Sequence, residues 1–295
     1  MDLQRWKELE TVIKCGSLTA AAEELGYTLS GISRSMKTLE ESEGIQLLHR
    51  GKKGIRPTRE CEDIFLYVQE LLRASERLAQ KTASVRGGEE GLIQIGTAYR
   101  HYYKWLTKVT SKFHELHPGV TFRIYTGTST EFVNKLEQHQ IDFCLISERE
   151  GEHGWIPFCK DPMVALLPEG HKLAKRKTFS AKAAETEAYI VTCPGLDIDG
   201  TRYLNKHGIK PNVQFSTMDI QATYAMAAAG MGVSITNQIN SLSDYEGVCH
   251  RKLVPAESIE IGLAWEKNQS PAAAKFLEFV RTERMLPSDM EEAGL

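Results

Sequence analysis

Ser30, Ser33, Arg34, Lys37 and Thr38 fall on one face of a short predicted helix, and Ile32, Met36 and Leu39 fall on the other. The apolar set recurs at i, i+4, i+7, the stripe of an amphipathic helix packed on a core. The polar set is small at its start and basic further on, which suits a helix laid in the major groove of DNA. Just before it, Ala22, Gly26 and Ile32 supply the small contact, the turn glycine and the branched anchor that a helix-turn-helix requires. Ser17 and Thr28 stand where its two helices begin, and a side-chain oxygen there satisfies an orphan amide. A cationic run follows: Arg50, Lys52, Lys53, Arg56 and Arg59, with no acid among residues 50–59. Gly51, Gly54 and Pro57 break any helix there, so the pattern predicts a two-stranded wing whose cations meet phosphates. The plainer alternative is a solvated helix pair followed by a solvated loop.

Other constellations carry less. Thr128, Ser129 and Thr130 precede a predicted helix over 131–139, and the spacing Thr128 to Glu131 matches a capping box. A helix start offers free amides and a positive dipole end to a carboxylate, though capping alone accounts for the same residues. Glu131 opposes an anion there, and Arg100 can offset it. His114 and His117 are three apart rather than the four of a zinc-protease motif. There is no Gly-rich phosphate loop and no Gly-x-Ser-x-Gly elbow. The six cysteines are scattered without a Cys-x-x-Cys pair, so neither a metal site nor a disulfide framework is expected. A redox pair of Cys193 with Cys249 is the remaining alternative.

The elements that must hold these residues follow from periodicity. Leu3, Trp6, Leu9, Val12 and Ile13 predict a backing helix over 3–15, ended by Gly16. Residues 60–86 read as one long helix, with Ile64, Leu71, Leu78 and Val85 every seven residues and Val68, Ser75 and Thr82 between them. Gly87 to Gly91 reads as a joint. Beyond it, strands at 92–97, 120–125 and 141–146 alternate with helices, and a crossover strand covers 163–167. A second unit follows, with strands at 189–192, near 213 and at 233–236, a return strand at 259–265 and a last helix from Pro271 to about Arg284. Such alternation gives mostly parallel sheets covered by helices. The tail from Pro287 to Leu295 carries no pattern. The 295 residues, 41% hydrophobic and 25% charged, form a sizeable core, and no apolar run reaches membrane-spanning length. With no secretory signal, a cytoplasmic protein is expected. The net charge of −3 excludes a general nucleic-acid coat and confines DNA contact to a local patch.

The chain resembles the LysR-type transcriptional regulators. The resemblance is carried by Ala22, Gly26, Thr28, Ile32-Ser33-Arg34, Leu39-Glu40, Leu47 to Arg50 and Pro57-Thr58. It continues in the phrases 114–120, 141–146, 167–174 and 226–234, and covers about residues 1 to 285. Departures are Leu29-Ser30-Gly31 at the opening of the recognition helix, His49 after Leu48, and Glu60-Cys61 after the wing.

The resemblance implies a multi-domain chain: an all-α winged helix-turn-helix head (1–59), a dimerising linker helix and hinge (60–91), and a two-lobed α/β effector domain of periplasmic-binding-protein type (92–295). Its first lobe covers about 92–162 and 266–286, its second 163–265. It implies a sequence-specific regulator of double-stranded promoter DNA, assembled as a dimer or tetramer and modulated by a small molecule, often an organic anion, between the lobes. RNA polymerase is a further partner, and neither a cofactor nor enzymatic activity is expected. The DNA-binding residues are then Ser17, Thr28, Ser30, Ser33, Arg34, Lys37, Arg50, Lys52, Lys53 and Arg56. The effector-binding residues are Thr97, Arg100, Thr128, Ser129 and Thr130, faced from the second lobe by Thr192, Cys193 and Pro194. The alternatives are a constitutive regulator without a ligand, and a solute binder or enzyme on the same two-lobed fold.

Overall fold

The structure, a computed structural model, describes residues 2–51, 54–85, 90–240 and 245–282. The chain divides into two compact units, residues 1–86 and 87–295.

In the first unit, α1 (Leu3–Cys15), α2 (Leu18–Leu25) and α3 (Leu29–Glu43) form a three-helix core. The expected caps are present. Ser17 Oγ accepts from the Ala20 amide at 3.4 Å, and Thr28 Oγ1 from the Gly31 amide at 3.1 Å. Gly26 turns the chain at φ +70°, a conformation costly for any residue with a Cβ. Ile32, Met36 and Leu39 are fully buried together with Trp6, Leu9, Val12 and Ala22. A hairpin of β1 (Leu48–Gly51) and β2 (Gly54–Pro57) makes the wing, with His49 opposite Arg56 and Arg50 opposite Ile55. The long helix α4 (Arg59–Val85) is split in its surroundings. Cys61, Val68 and Leu72 join the head's core, whereas Tyr67 and Leu78 are 68% and 69% exposed. The head therefore does not end at residue 59: the first half of α4 belongs to it, because its apolar side complements α1. The side chain of Val85 and most of the expected joint at 87–91 lie outside the described residues.

The second unit begins with β3 (Gly91–Thr97), α5 (Tyr103–Leu116), β4 (Val120–Thr126), α6 (Ser129–Glu137) and β5 (Phe143–Ser147). It continues through β6 (Gly154–Pro168), β7 (Thr178–Ser180), β8 (Tyr189–Thr192), α7 (Asp199–Lys206), β9 (Val213–Thr217) and α8 (Ile220–Ala228). It ends with β10 (Ser234–Asn237), β11 (Val248–Val254), β12 (Ser258–Trp265) and α9 (Pro271–Thr282). The main sheet runs β4-β3-β5-β12-β6-β11-β7, with β10 also on β6. The first half of β6 pairs with β12, and its second half with β10 and β11. The 15 residues of β6 thus pass from one lobe to the other. At the passage Asp161 is buried, accepting from Asn237 Nδ2 at 2.8 Å and the Ile239 amide at 3.0 Å. The parallel pair β8-β9 reaches the second lobe's sheet through a bridge from Tyr189 to Val233.

Three differences from the sequence reading have physical causes. β12 was expected in the second lobe, but it pairs along its length with β5 and β6, and Ile261 and Leu263 enter the first lobe's core. The first half of β6 and all of β11 escape periodicity, since Pro157, Lys160, Asp161 and Pro162 interrupt apolar alternation in the former and Cys249 to Lys252 in the latter. α6 starts two residues earlier than expected, because Thr128 caps it, and ends before His139, which takes φ +54°. The aromatic rings of Phe113, Phe122 and Phe143 all pack edge-on against Phe276 of α9, with centroids 5.2 to 5.4 Å away. Each such pair contributes about 0.5–1.5 kcal/mol beyond burial.

Candidate DNA-binding face and interlobe site

In the head, the outward residues of α3 are Ser30, Arg34 and Lys37, all exposed, with Ser33 half-buried beside them. Arg50 on the wing donates from Nη1 to Ser33 Oγ at 3.2 Å, so wing and helix face form one surface. Lys37 pairs loosely with Glu41 at 3.6 Å. Arg56 is exposed on β2 across from His49, while Lys52 and Lys53 lie outside the described residues. Thr28 and Ser17 are engaged as caps. Thr28 Oγ1 also lies 3.1 Å from Ser30 Oγ. Two acids fix this face from behind. Glu40 Oε1 accepts the Leu47 and Leu48 amides at 2.8 and 3.0 Å, tying α3 to the wing. Buried Glu8 accepts from Ser35 Oγ, tying α3 to α1.

In the second unit the carboxyl ends of β3, β4 and β5 meet the start of α6, the usual ligand-facing edge of such a sheet. Gly96 lets this happen. A Cβ there would lie 2.4 Å from the ring of Phe132, so α6 sits directly on β3. Thr128 Oγ1 caps α6 by accepting from the Glu131 amide at 3.1 Å, while the Glu131 carboxylate turns to Lys135 Nζ at 2.6 Å. Thr97 is buried and satisfied locally, bonded to the amide and carbonyl of Tyr99 at 3.1 Å. Ser129 Oγ accepts the Ser147 amide at 3.1 Å and lies 3.0 Å from Ser147 Oγ.

The residues that reach this edge from the second lobe are Asp197, Asp199 and Asp219. Thr192, Cys193 and Pro194 were expected to face α6. Instead Thr192 bonds Thr223 at 2.7 Å, and Cys193, at φ +49°, donates from Sγ to the Met218 carbonyl at 3.4 Å. Thr130 Oγ1 donates to Asp197 Oδ2 at 2.7 Å, and Arg202 Nη1 reaches the same oxygen at 2.9 Å. Burial pushes the Asp197 carboxyl up, but Thr130, Arg202 and Arg149 outweigh it and hold it below the usual range. Asp219 caps α8 and takes Arg100 Nη2 at 2.9 Å. Burial again raises that carboxyl, and the Ala222 and Gln221 amides with Arg100 bring it lower.

At the centre, Asp199 Oδ1 accepts from Ser147 Oγ at 2.6 Å and Arg149 Nη2 at 3.0 Å, and its Oδ2 accepts from Tyr99 OH at 2.6 Å. The Arg149 and Asp199 side chains are only 7% and 11% exposed. Burial and the Asp199 charge push the Tyr99 phenol well up, so it remains a donor. Tyr99, Ser147, Arg149 and Asp199 were missed on sequence. The available signal was position: Ser147 and Arg149 close the apolar strand 143–147 at its carboxyl end.

His114 Nδ1 bonds the Val120 carbonyl at 2.8 Å and His117 packs on Phe113, so that pair is structural. Burial and Asp219 push the Cys193 thiol up, and burial does the same to Cys249, which disfavours the thiolate a redox pair needs. Among the described residues no group of three metal-ligating side chains comes together, and no helix is long and apolar enough to cross a membrane.

A winged helix-turn-helix unit joined to a two-lobed α/β unit with a polar interlobe edge defines a DNA-binding regulator with a sensor domain. The chain matches the LysR substrate binding domain over residues 86–284 and the bacterial regulatory helix-turn-helix protein, lysR family, over 3–62. It belongs to the LysR family of transcriptional regulators. An uncharacterized HTH-type transcriptional regulator of Bacillus subtilis, YybE, is 23% identical over 93% of this chain and 97% of its own length. The RuBisCO operon transcriptional regulator of Allochromatium vinosum is 24% identical over 96% of each. Among solved structures, full-length OxyR from Pseudomonas aeruginosa has a TM-score of 0.67 at 18% identity, covering 98% of this chain and 95% of that one. CbnR, a LysR family regulator, has 0.63 at 20% identity, covering 97% and 99%. CbnR complexed with its target DNA has 0.61 at 20% identity, covering 97% and 100%.

Proposed function

We propose that this regulator reads its promoter through Ser30, Ser33, Arg34 and Lys37 of α3, with Ser17 and Thr28 at the helix starts and Arg50, Lys52, Lys53 and Arg56 of the wing on phosphates. CbnR, similar in fold, has been solved on its target DNA. A carboxylate-bearing small molecule occupies the interlobe edge near Thr97, Arg100, Thr128, Ser129 and Thr130 and changes promoter binding. The observation that carries this reading is the convergence of Tyr99, Ser147 and Arg149 as donors at the sheet's carboxyl end, in the domain that accompanies the DNA-binding head. The protein acts in the cytoplasm, not as an enzyme, and associates through the exposed apolar side of α4 marked by Tyr67 and Leu78. Its functional division is a head, a linker helix and an effector domain, with RNA polymerase as a further partner.

A gel shift on the intergenic DNA upstream of its own gene, with and without metabolites, tests this. Preferential retardation over scrambled competitor, altered by at least one metabolite, is the expected result. No preference under any metabolite overturns it. A preference that no metabolite alters marks the second reading, a ligand-independent regulator, which the presence of Asp199 in the donor set favours.

A further inference from the structure

The donor set at the interlobe edge is already filled by the chain's own carboxylate. Asp199 takes Ser147, Arg149 and Tyr99 at 2.6 to 3.0 Å, and the ion pair at its centre is almost fully buried. The charges that meet across the cleft are also sorted by lobe; Arg202, which pairs with Asp197 from within the second lobe, is not among them. The cations and hydroxyls come from the first lobe, as Tyr99, Arg100, Thr130, Ser147 and Arg149, and the acids from the second, as Asp197, Asp199 and Asp219.

A buried ion pair that loses one partner leaves an uncompensated charge in a poorly solvated place. A simple anion entering here would pair with Arg149, and would strand Asp199 beside a like charge. A simple cation would pair with Asp199 and strand Arg149. Only a ligand carrying both charges satisfies both walls and leaves the net charge of the site unchanged.

We propose that the effector of this cleft is a zwitterion of α-amino-acid type. Its carboxylate takes the place of Asp199 against Arg149 and Ser147, and its ammonium takes the place of Arg149 against Asp199. Tyr99 remains a donor to whichever carboxylate lies beneath it. This rests on the reading of the interlobe edge as the effector site.

The test is isothermal titration of the full-length protein with the standard L-amino acids, each beside its desamino acid and its decarboxylated amine. At least one amino acid is expected to bind at least tenfold more tightly than either of its halves. Asp199→Asn is expected to weaken that amino acid at least tenfold and to bring the desamino acid level with it, since the carboxylate that holds the ammonium is gone while Asp197 and Asp219 stay paired with Arg202 and Arg100. Arg149→Gln is expected to bring the amine level instead. Circular dichroism establishes that each variant is folded, and the wild-type panel decides the matter if one is not. Binding of a desamino acid or an amine to the wild type as tight as that of any amino acid overturns the zwitterion and leaves the effector site standing. No binding of any compound in the three sets also overturns the zwitterion, and the effector site then stands or falls by the gel shift with other metabolites.

Discussion

Arg34 stands exposed on α3 with its neighbours Ser30 and Lys37, free to approach a base edge once the helix is in a groove. Arg34→Ala is expected to cost about 1–3 kcal/mol on the operator and to relax specificity at one position. Equal losses on operator and random DNA, measured by fluorescence anisotropy, would make it a phosphate contact instead. Asp197 carries a different prediction. Against the raising effect of burial, Thr130, Arg202 and Arg149 hold its folded-state carboxyl low. A carboxyl lower in the folded than in the unfolded chain stabilises above its unfolded value, and that stabilisation is lost as pH falls through the folded one. Asp197→Asn should therefore lower the melting temperature at neutral pH, and the gap from wild type should close below about pH 4. A gap that persists unchanged in acid would mean that Asp197 acts by packing alone.

At the scale of elements, the wing and α6 each do one task through local chemistry. Arg50 and Arg56 lie on β1 and β2 with Arg50 bonded to Ser33, so the hairpin carries charge to the edge of the exposed face of α3. Replacing either with Ala should weaken binding to all sequences alike and flatten the salt dependence by about one phosphate contact each. An unchanged slope in filter binding across a salt series would remove the wing from the phosphate backbone. Gly96 sets the placement of α6. Gly96→Ala drives a methyl into the Phe132 ring, and is expected to destabilise the second unit by about 1–3 kcal/mol in urea unfolding. An unperturbed midpoint would mean that Phe132 moves aside at no cost. The helix α4 divides between an inner half that packs on the head and an outer half with Leu78 in the open. Leu78→Asp should shift sedimentation toward smaller species without loss of helix content, and unchanged sedimentation would place self-association elsewhere.

Over the whole molecule, the head was legible nearly residue by residue. Its signals are local: Ser17 and Thr28 cap the helices that directly follow them, Gly26 turns between them, and Ile32, Met36 and Leu39 face inward by helical period. The strands of the second unit were legible where apolar runs were unbroken, as at 143–147, and invisible at 154–162 and 248–254, where prolines and charges interrupt them. The interlobe site was half legible. Ser129 and Thr130 could be found because a helix start is a local event. Arg149 and Asp199 could not, because 50 residues separate them. The sequence by itself determined the two kinds of unit and the exposed polar face of α3, since period, capping and turn chemistry act over a few residues. Only the tertiary structure decided that β12 belongs to the first lobe and that Asp199 sits among the first lobe's donors. Sheet order and charge pairing across a cleft depend on which distant segments the fold brings within about 3 Å, the range of a hydrogen bond.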